Sequence, residues 1–201
     1  MKTFHAKKNV LLRALLLGAL AAGMSFGGAP TGFAAPSNPT ASFQEEKLDM
    51  TNAWDKVFPE NKNVTHEKVT FHNRYGIMLA ADVYKPKTAA KDAKLAAIAV
   101  AGPFGAVKEQ SSGLYAQTMA EHGFLTVAFD PSFTGESGGN VRDVASLDIN
   151  TEDFSAVVDY LSNRADVDAD RIGIIGICGW GGIAINDAAM DTRVKATVAS
   201  T

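Results

Sequence analysis

The side chain with the clearest capacity for chemistry is the thiol of Cys178, the only cysteine in the sequence. It follows an apolar run at residues 172–177 and precedes a glycine-rich stretch at residues 179–182. A thiolate attacks carbonyl carbon and forms a covalent acyl intermediate that water then cleaves. A cysteine at this junction predicts attack on an ester, thioester or lactone. An inert core thiol and a redox role are the competing interpretations.

The glycines on both sides of Cys178 favour a sharp corner between a strand and a helix. Small residues let strand and helix pass close together, and a strained backbone at the corner makes the side chain project above the sheet. The amino end of the following helix would lie beneath the sulfur, where its partial positive charge favours a thiolate and stabilises a developing oxyanion. This is the arrangement of a G-x-S-x-G nucleophile elbow, with cysteine in the serine position.

The surrounding sequence predicts the elements that such a corner requires. Apolar runs of strand length, which are typical of strands buried on both faces of a parallel sheet, recur four times. They lie at residues 95–101, 124–129, 172–177 and 194–199. Helical segments are expected at residues 111–121 and 181–191, and in a helix capped by Asn150, with a polar turn at residues 165–170. A β-hairpin precedes them, with its second strand at residues 77–84. The alternation predicts an α/β fold whose sheet is mostly parallel, with an N-terminal antiparallel hairpin.

With these features the chain resembles the α/β-hydrolase superfamily. Within it, the closer resemblance is to dienelactone hydrolase-like and Xaa-Pro dipeptidyl-peptidase-like hydrolases, including relatives of polyketide transferases. The resemblance covers residues 67–201 and is carried by the hairpin, the segments 102–110 and 130–139, and the Cys178 corner with its flanks at 171–173 and 191–196. It implies the α/β-hydrolase fold, Cys178 as the nucleophile, and hydrolysis without a metal or an organic cofactor. It does not specify a substrate.

The resemblance also implies an oxyanion hole. Gly179, which follows the nucleophile, would donate one backbone N–H. The second donor would come from the loop after the strand at residues 95–101. Pro103 has no N–H, so this donor must be Phe104 or Gly105. The loop at residues 130–139 is expected to shape the mouth of the site.

The sequence departs from the family pattern at two points. Trp180 stands where a glycine usually occurs two residues after the nucleophile, and a bulky ring at this tight point questions the register of the elbow. In some relatives the equivalent of position 180 is serine, and if that were the nucleophile position, Trp180 would make the chain inert. In this fold the catalytic order is nucleophile, acid, histidine, yet no histidine follows Cys178. We therefore expect a partial α/β-hydrolase domain, with the C-terminal strands and the triad's acid and base outside the chain.

The other titratable candidates have ordinary interpretations. His122 is expected to stabilise the end of a helix. His66 and His72 are expected to lie on the surface beside the hairpin, and Asp187 and Asp191 to be solvated. The four histidines, His5 included, show no metal-ligand spacing, which predicts no metal site.

The N-terminus predicts export. Four basic residues and no acid precede residue 14, an apolar run follows at residues 14–24, and small residues lead to Ala34. This is the pattern of a secretory signal peptide cleaved after Ala34, and the apolar run is short for a membrane span, which needs about 20 residues. The predicted organisation is a signal peptide at residues 1–34, a linker at 35–66 and the partial hydrolase domain at 67–201. After cleavage, no stable membrane partner is expected.

Composition narrows the functional classes further. The chain of 201 residues is 46% hydrophobic and 20% charged, which excludes a disordered chain, and a single cysteine excludes a disulfide scaffold. A formal net charge of −3 without a basic block argues against a nucleic-acid partner. The expected partner is a small-molecule acyl substrate. Two alternatives to this exported hydrolase remain: a truncated, non-catalytic remnant, motivated by Trp180 and the missing histidine, and a peptidase that acts on proline-containing peptides.

Overall fold

Strands and helices alternate in the described part of the chain as the sequence predicts. The computed structural model describes residues 48, 50 and 53–201, and these belong to a unit that spans Ala41–Thr201. The predicted signal peptide lies outside the described residues. The elements are β1 (Val64–His72), β2 (Met78–Pro86), β3 (Leu95–Ala101), α1 (Ser111–Glu121), β4 (Leu125–Phe129), α2 (Leu147–Ser162), β5 (Val167–Ile177), α3 (Trp180–Met190) and β6 (Val194–Ser200).

The strands form one mixed sheet in the order β1-β2-β4-β3-β5-β6. The β1–β2 hairpin is antiparallel, and β2 pairs antiparallel with β4. The remaining pairs, β3–β4, β3–β5 and β5–β6, are parallel. The predicted mostly parallel sheet with an N-terminal hairpin is therefore confirmed. Because β3, β4 and β5 run in the same direction, the loops that follow them meet at one edge, where α/β proteins place their ligands.

The core has two layers, one on each face of the sheet. One layer packs β-strand residues against α2 and α3 and includes Phe129, Phe154 and Trp180. The other lies under α1 and includes Tyr84 and Val100. The central strands are almost fully buried because helices cover both faces, which explains their unbroken apolar runs.

Two element boundaries differ from the prediction. Helix α2 begins at Leu147 and is capped by Ser146, whose hydroxyl accepts the Ile149 N–H, whereas the prediction placed the cap at Asn150. Asn150 instead lies in the first turn, with its side chain buried. Strand β5 begins at Val167, so most of the predicted polar turn at residues 165–170 belongs to the strand. The acidic residues of that stretch are partly or fully exposed at the start of the strand. Because exposed polar residues are also typical of turns, the sequence pattern predicted a turn there.

The segment before β1 is partly packed rather than fully solvated. Strand β1 begins at Val64, earlier than the predicted domain boundary at residue 67. Lys56 and Phe58 are buried, and the Val57 N–H donates to the Glu109 carbonyl at 3.0 Å. Among the described residues, no helix has the length and apolar character needed to cross a bilayer.

Candidate active site

Cys178 occupies the corner between β5 and α3. Its φ is 57°, and its side chain is exposed. Positive φ is sterically costly for a non-glycine residue and persists only where the surroundings enforce it. Here the Cys178 N–H donates to the Ser200 carbonyl at 2.6 Å, and the Cys178 carbonyl accepts the Gly181 N–H at 2.9 Å. These bonds tie the corner to β6 on one side and to the first turn of α3 on the other.

Two glycines permit the close approach of the chains around this corner. A Cβ on Gly176 would collide with the backbone oxygen of Trp180, and a Cβ on Gly102 would collide with the backbone oxygen of Ile177. Backbone atoms of a strand and a helix cannot move aside without distorting both elements. At Gly176 the close contact is with the backbone of Trp180, whereas a Cβ on Gly102 would also meet the Trp180 side chain, 2.8 Å from its Cβ and 3.0 Å from its Cδ1.

Trp180 points into the core beneath the corner. It is 1% exposed and makes edge-on contacts with Phe129 and Phe154 at centroid distances of 5.9 and 5.4 Å. Its ring also lies 6.1 Å from that of Phe104. The bulky ring at this position is thus accommodated by an aromatic cluster and does not obstruct the backbone turn.

The structure brings the predicted oxyanion-hole residues to the same sheet edge as Cys178. Gly179 is the N-terminal cap of α3, and Phe104 and Gly105 follow β3, the strand next to β5. The ring of Phe104, which is 50% exposed, packs so closely on Gly179 that a Cβ there would collide with it. The backbone N–H groups of these three residues make no hydrogen bond to any described residue. They are therefore available to an acyl oxygen.

A small pocket opens beside these residues, with a volume of about 130 Å³. Its walls come from the loop after β3, the loop after β4, the start of α2 and the start of α3. The lining residues are Phe104, Gly105, Pro131, Thr134, Asp143, Val144, Ala145, Asn150 and Trp180. The loop at residues 130–139 was expected to shape the mouth of the site. Two of its residues, Pro131 and Thr134, line this pocket.

Asp153 fixes one wall of this pocket. Its Oδ1 accepts hydrogen bonds from Asn73 Nδ2 at 2.9 Å and Ser132 Oγ at 2.7 Å. Its Oδ2 accepts from the Ser132 N–H at 2.9 Å and Asn150 Nδ2 at 3.0 Å. The hairpin turn, the loop after β4 and α2 thus meet on one buried carboxylate. Burial raises the pKa of Asp153, and its four hydrogen bonds act in the opposite direction.

Sequence reasoning missed a buried ion cluster behind the loop after β3. Lys108 is fully buried, and its ammonium donates to Asp130 at 3.2 Å, to Glu136 at 2.6 Å and to Glu109. The Asp130 Oδ1 also accepts the Lys108 backbone N–H at 2.7 Å, and its Oδ2 accepts the Glu136 N–H at 2.9 Å. The only signal in the sequence was a lysine and acidic residues inside loops otherwise rich in glycine and serine.

The Lys108 ammonium places one positive charge among three carboxylates. Burial raises the pKa of Asp130 to about 6, which leaves it ionised at pH 7 beside Lys108. Burial lowers the pKa of Lys108, but the carboxylates outweigh this and raise it above its ordinary value. The carboxylates of Glu109, Asp130 and Glu136 have the mutual spacing of metal ligands, within 4.8 Å of one another. The Lys108 ammonium, however, bonds to all three and supplies the positive charge that an ion would bring.

Three histidines lie among the described residues, and the interpretation of one of them was wrong. His66 was expected on the surface, but its side chain is 7% exposed, and its Nε2 lies 2.9 Å from the Asp82 carboxylate. Lys56 shares that carboxylate at 2.9 Å. His72 is exposed, and His122 Nδ1 lies 2.8 Å from the Thr118 carbonyl at the end of α1, as a capping residue should.

Asp187 was expected to be solvated, and this was also wrong. It is fully buried on α3, where its Oδ1 accepts the Ser155 hydroxyl at 2.7 Å. Its Oδ2 has no hydrogen-bond partner among the described residues. Burial raises the pKa of Asp187 to about 6. Asp191 is partly buried and pairs with Arg193 at 2.6 Å.

Comparison with known proteins agrees with this architecture. The protein family described as X-Pro dipeptidyl-peptidase (S15 family) matches residues 75–201. A protein of Pseudomonas aeruginosa, PA2218, is 57% identical over the whole of this chain, which covers 54% of that protein. Its crystal structure superimposes with a TM-score of 0.72 and 65% identity, over 76% of this chain and 47% of that one.

Two of the more distant matches carry enzyme names. Thiohydrolase aneE of Aspergillus aculeatus is 29% identical over 68% of this chain and 41% of its own length. The α/β hydrolase GrgF from Penicillium sp. sh18 shares the fold, with a TM-score of 0.60 and 23% identity over 66% of this chain and 44% of that one. The chain spans about half the length of the curated relatives it matches. The resemblance that the sequence motifs suggested is confirmed.

Proposed function

The chain belongs to the X-Pro dipeptidyl-peptidase (S15) family, and from this premise we propose that it carries the nucleophile and oxyanion site of an α/β hydrolase that cleaves an ester, thioester or lactone. Cys178 is the nucleophile of this proposal. The observation that carries it is the exposed thiol held at a φ of 57° between β5 and α3. Such strain at a single exposed cysteine is the signature of a nucleophile elbow.

The proposed reaction proceeds through an acyl-enzyme. The Cys178 sulfur forms a bond to the carbonyl carbon, and the carbonyl π electrons move to oxygen. That oxyanion accepts hydrogen bonds from the Gly179 N–H and from the N–H of Phe104 or Gly105, a contribution worth about 10²–10³ in rate per donor. Collapse expels the alcohol or thiol, which takes up the proton the cysteine has lost. Water then cleaves the thioester and regenerates the thiol.

Thioesters are the first substrate class to test, because the name of aneE supports them. The pocket of about 130 Å³ supports a small acyl group, since an apolar cavity of about 150 Å³ holds a benzene molecule. The proposed partner is therefore a small-molecule acyl substrate.

The test uses p-nitrophenyl acetate, whose leaving group departs as an anion without needing a proton. We expect intact-mass analysis to show one acetyl group on the wild-type chain and none on Cys178→Ala. Because Cys178 is the only cysteine, hydroxylamine distinguishes its labile thioester from acetylated lysine. An adduct that persists in Cys178→Ala, or a wild-type chain that never acylates, contradicts the proposal and favours a non-catalytic remnant.

A peptidase is the second candidate, because the matching family takes its name from X-Pro dipeptidyl-peptidases. An amide substrate must be protonated as its amine leaves, and general acid catalysis of this kind contributes about 10²–10⁴-fold. A panel of Xaa-Pro p-nitroanilides and matched p-nitrophenyl esters separates the two candidates. Cys178-dependent cleavage of the anilides alone would favour the peptidase.

Export is proposed on the N-terminal pattern alone. Cleavage after Ala34 would leave a mature chain that begins at Ala35, in an oxidising compartment where a lone thiol has no internal partner. N-terminal sequencing of the protein from a cell envelope or culture-supernatant fraction tests the proposal. A chain that retains its first residues in the cytosolic fraction would overturn it.

A further inference from the structure

The loop that holds the two candidate oxyanion donors after β3 is built from two successive turns. In the first, the Ala106 N–H donates to the Pro103 carbonyl at 3.2 Å, which encloses Phe104 and Gly105. In the second, the Gln110 N–H donates to the Val107 carbonyl at 3.0 Å. Phe104 and Gly105, in the first turn, are exposed to solvent. The position of the first turn therefore depends on the contacts that hold the second turn.

Lys108 holds the second turn from both its backbone and its side chain. Asp130, at the end of β4, accepts the Lys108 N–H on Oδ1 and the ammonium on Oδ2. Glu136 completes the attachment, because its backbone N–H bonds to the same Asp130 Oδ2 while its carboxylate accepts the ammonium at 2.6 Å. The loops after β3 and β4 are thereby fixed to one another and to a central strand.

A buried ion pair is an inefficient source of stability. Removing two charges from water costs nearly as much as their attraction returns, so well-packed apolar residues often do as well. Lys108 and Asp130 are both fully buried. Unlike apolar packing, the ion pair is directional, because each of its hydrogen bonds holds a donor and an acceptor at a set distance and angle.

We infer that the Lys108–Asp130 ion pair positions the backbone N–H of Phe104 or Gly105 for the oxyanion. This inference rests on the proposed function, because it assigns a part to an oxyanion site at Cys178. Lys108 is a positioning residue here and does not touch the acyl group. It acts through the turn 107–110, and Glu136 strengthens the attachment from the loop after β4.

Two reactions of the same thiol separate this role from a general structural one. Attack on p-nitrophenyl acetate develops an oxyanion, whereas alkylation by iodoacetamide displaces iodide from a saturated carbon and develops none. In Lys108→Met we expect the acylation rate to fall by about 10²-fold, the lower range for loss of one oxyanion donor. The alkylation rate of Cys178 should match that of the wild type, and Lys108→Arg should restore part of the acylation rate.

The matched control is Lys85→Met. Lys85 forms a 3.0 Å ion pair with Asp166, at the sheet edge opposite Cys178. We expect this variant to leave both reactions unchanged. If Lys108→Met does not fold, as circular dichroism would show, Glu136→Gln replaces it. Glu136 is partly exposed, and its substitution weakens the same attachment, so we expect a smaller fall in acylation with unchanged alkylation.

The outcomes are distinct. A folded Lys108→Met that acylates as fast as the wild type overturns the inference, and so does an equal fall in both reactions. If Glu136→Gln is the variant that decides, unchanged acylation overturns it likewise. A wild-type chain without Cys178-dependent acylation overturns the proposed function itself, and the inference with it.

Discussion

At the scale of single residues, the corner at Cys178 requires a glycine at position 176, where there is no room for a side chain. Gly176 lies where β5 passes the first turn of α3, and the atoms that a Cβ would meet are the carbonyl carbon and oxygen of Trp180. By contrast, Gly182 lies in α3 with open space around it. The two glycines look alike in the sequence, but only one of them is required by a close approach.

We expect Gly176→Ala to lower the free energy of unfolding by about 1–3 kcal/mol or more, because the extra methyl group forces backbone apart. Gly182→Ala should raise it by about 0.5–1 kcal/mol, since alanine is the better helix former. Urea unfolding followed by circular dichroism measures both. Equal effects of the two substitutions would contradict the close approach at Gly176.

Asp187 gives the protein a stability that depends on pH. Its folded-state pKa of about 6 lies above the ordinary 3.8, so the folded state binds the proton more tightly than the unfolded state. The contribution of Asp187 is complete below pH 3.8 and is lost as pH rises through 6. The two units between these values correspond to about 3 kcal/mol, at 1.36 kcal/mol per unit.

We therefore expect Asp187→Asn to stabilise the protein at pH 7.5, by up to about 3 kcal/mol, and to have little effect at pH 4. The asparagine oxygen can still accept the Ser155 hydroxyl. Unfolding in urea at the two pH values gives the comparison. A stabilisation that is equal at both would show that Asp187 does not titrate in this range.

The residues of the candidate site were predictable only where their signal is local. The strand run and the glycines around Cys178 are contiguous, and Gly179, Phe104 and Gly105 were assigned through the resemblance to the α/β hydrolases, from their places after two strands. The attachment of Lys108 was not predictable, because Asp130 and Glu136 lie 22 and 28 residues away in the sequence. The burial of His66 and Asp187 was missed for the same reason, since each is enclosed by other elements.

At the scale of elements, α2 is held in place by a carboxylate as well as by its apolar face. Asp153 binds donors from the hairpin turn, from the loop after β4 and from α2 itself. Asp148, in the first turn of the same helix, is exposed. The helix thus carries two aspartates whose surroundings differ completely.

Substitution of Asp153 by alanine should lower the free energy of unfolding by at least about 3 kcal/mol, because each buried donor left without a partner costs about 1–3 kcal/mol. Asp148→Asn should cost at most about 1 kcal/mol, the usual value of a charge near a helix terminus. Thermal and urea unfolding at pH 7 compare the two variants. A loss below 1 kcal/mol for Asp153→Ala would mean that water replaces the missing acceptor.

At the same scale, elements with a clear apolar pattern were predicted correctly. Element boundaries were predicted wrongly where the pattern was unclear. The four apolar runs became β3, β4, β5 and β6, as continuous apolar residues suit a strand. The expectation that the fourth run is buried on both faces was wrong, because β6 lies at the edge of the described sheet and most of its residues are exposed. The start of β5 was missed because Asp168 and Asp170 are charged, although they still form strand at the margin of the sheet. The start of α2 was missed because Ser146 and Asn150 are both good caps, and only the structure shows which side chain faces inward.

At the scale of the whole molecule, the described sheet ends in an open edge. Strand β6 pairs only with β5, and its residues 195–199 are exposed. Beside it, an apolar cavity of about 340 Å³ is lined by Met119, Phe124 and Val198 among others. Unpaired strand edges and exposed apolar surface both promote association.

We expect the purified chain to associate as its concentration rises, and Val198→Lys to shift it toward the monomer, because a lysine on an edge strand opposes further pairing. Val57→Lys is the matched control, since Val57 is also exposed but lies before β1. Light scattering coupled to size exclusion follows the mass. A wild-type chain that remains monomeric throughout would contradict this prediction.

The fold class of the described residues could be predicted because alternating strands and helices leave few topologies. The order β1-β2-β4-β3-β5-β6 could not be read from periodicity, since it depends on which strands pair over long sequence distances.

The aromatic cluster at Trp180 has a consequence for how such a pocket can diversify. Trp180 lines the pocket and also packs on Phe129 and Phe154. A substitution of Trp180 that reshapes the pocket therefore also disturbs the core. Val144 and Ala145 line the same pocket from an exposed loop. Directed evolution toward larger acyl groups should therefore accumulate replacements at these two loop positions while the tryptophan stays untouched.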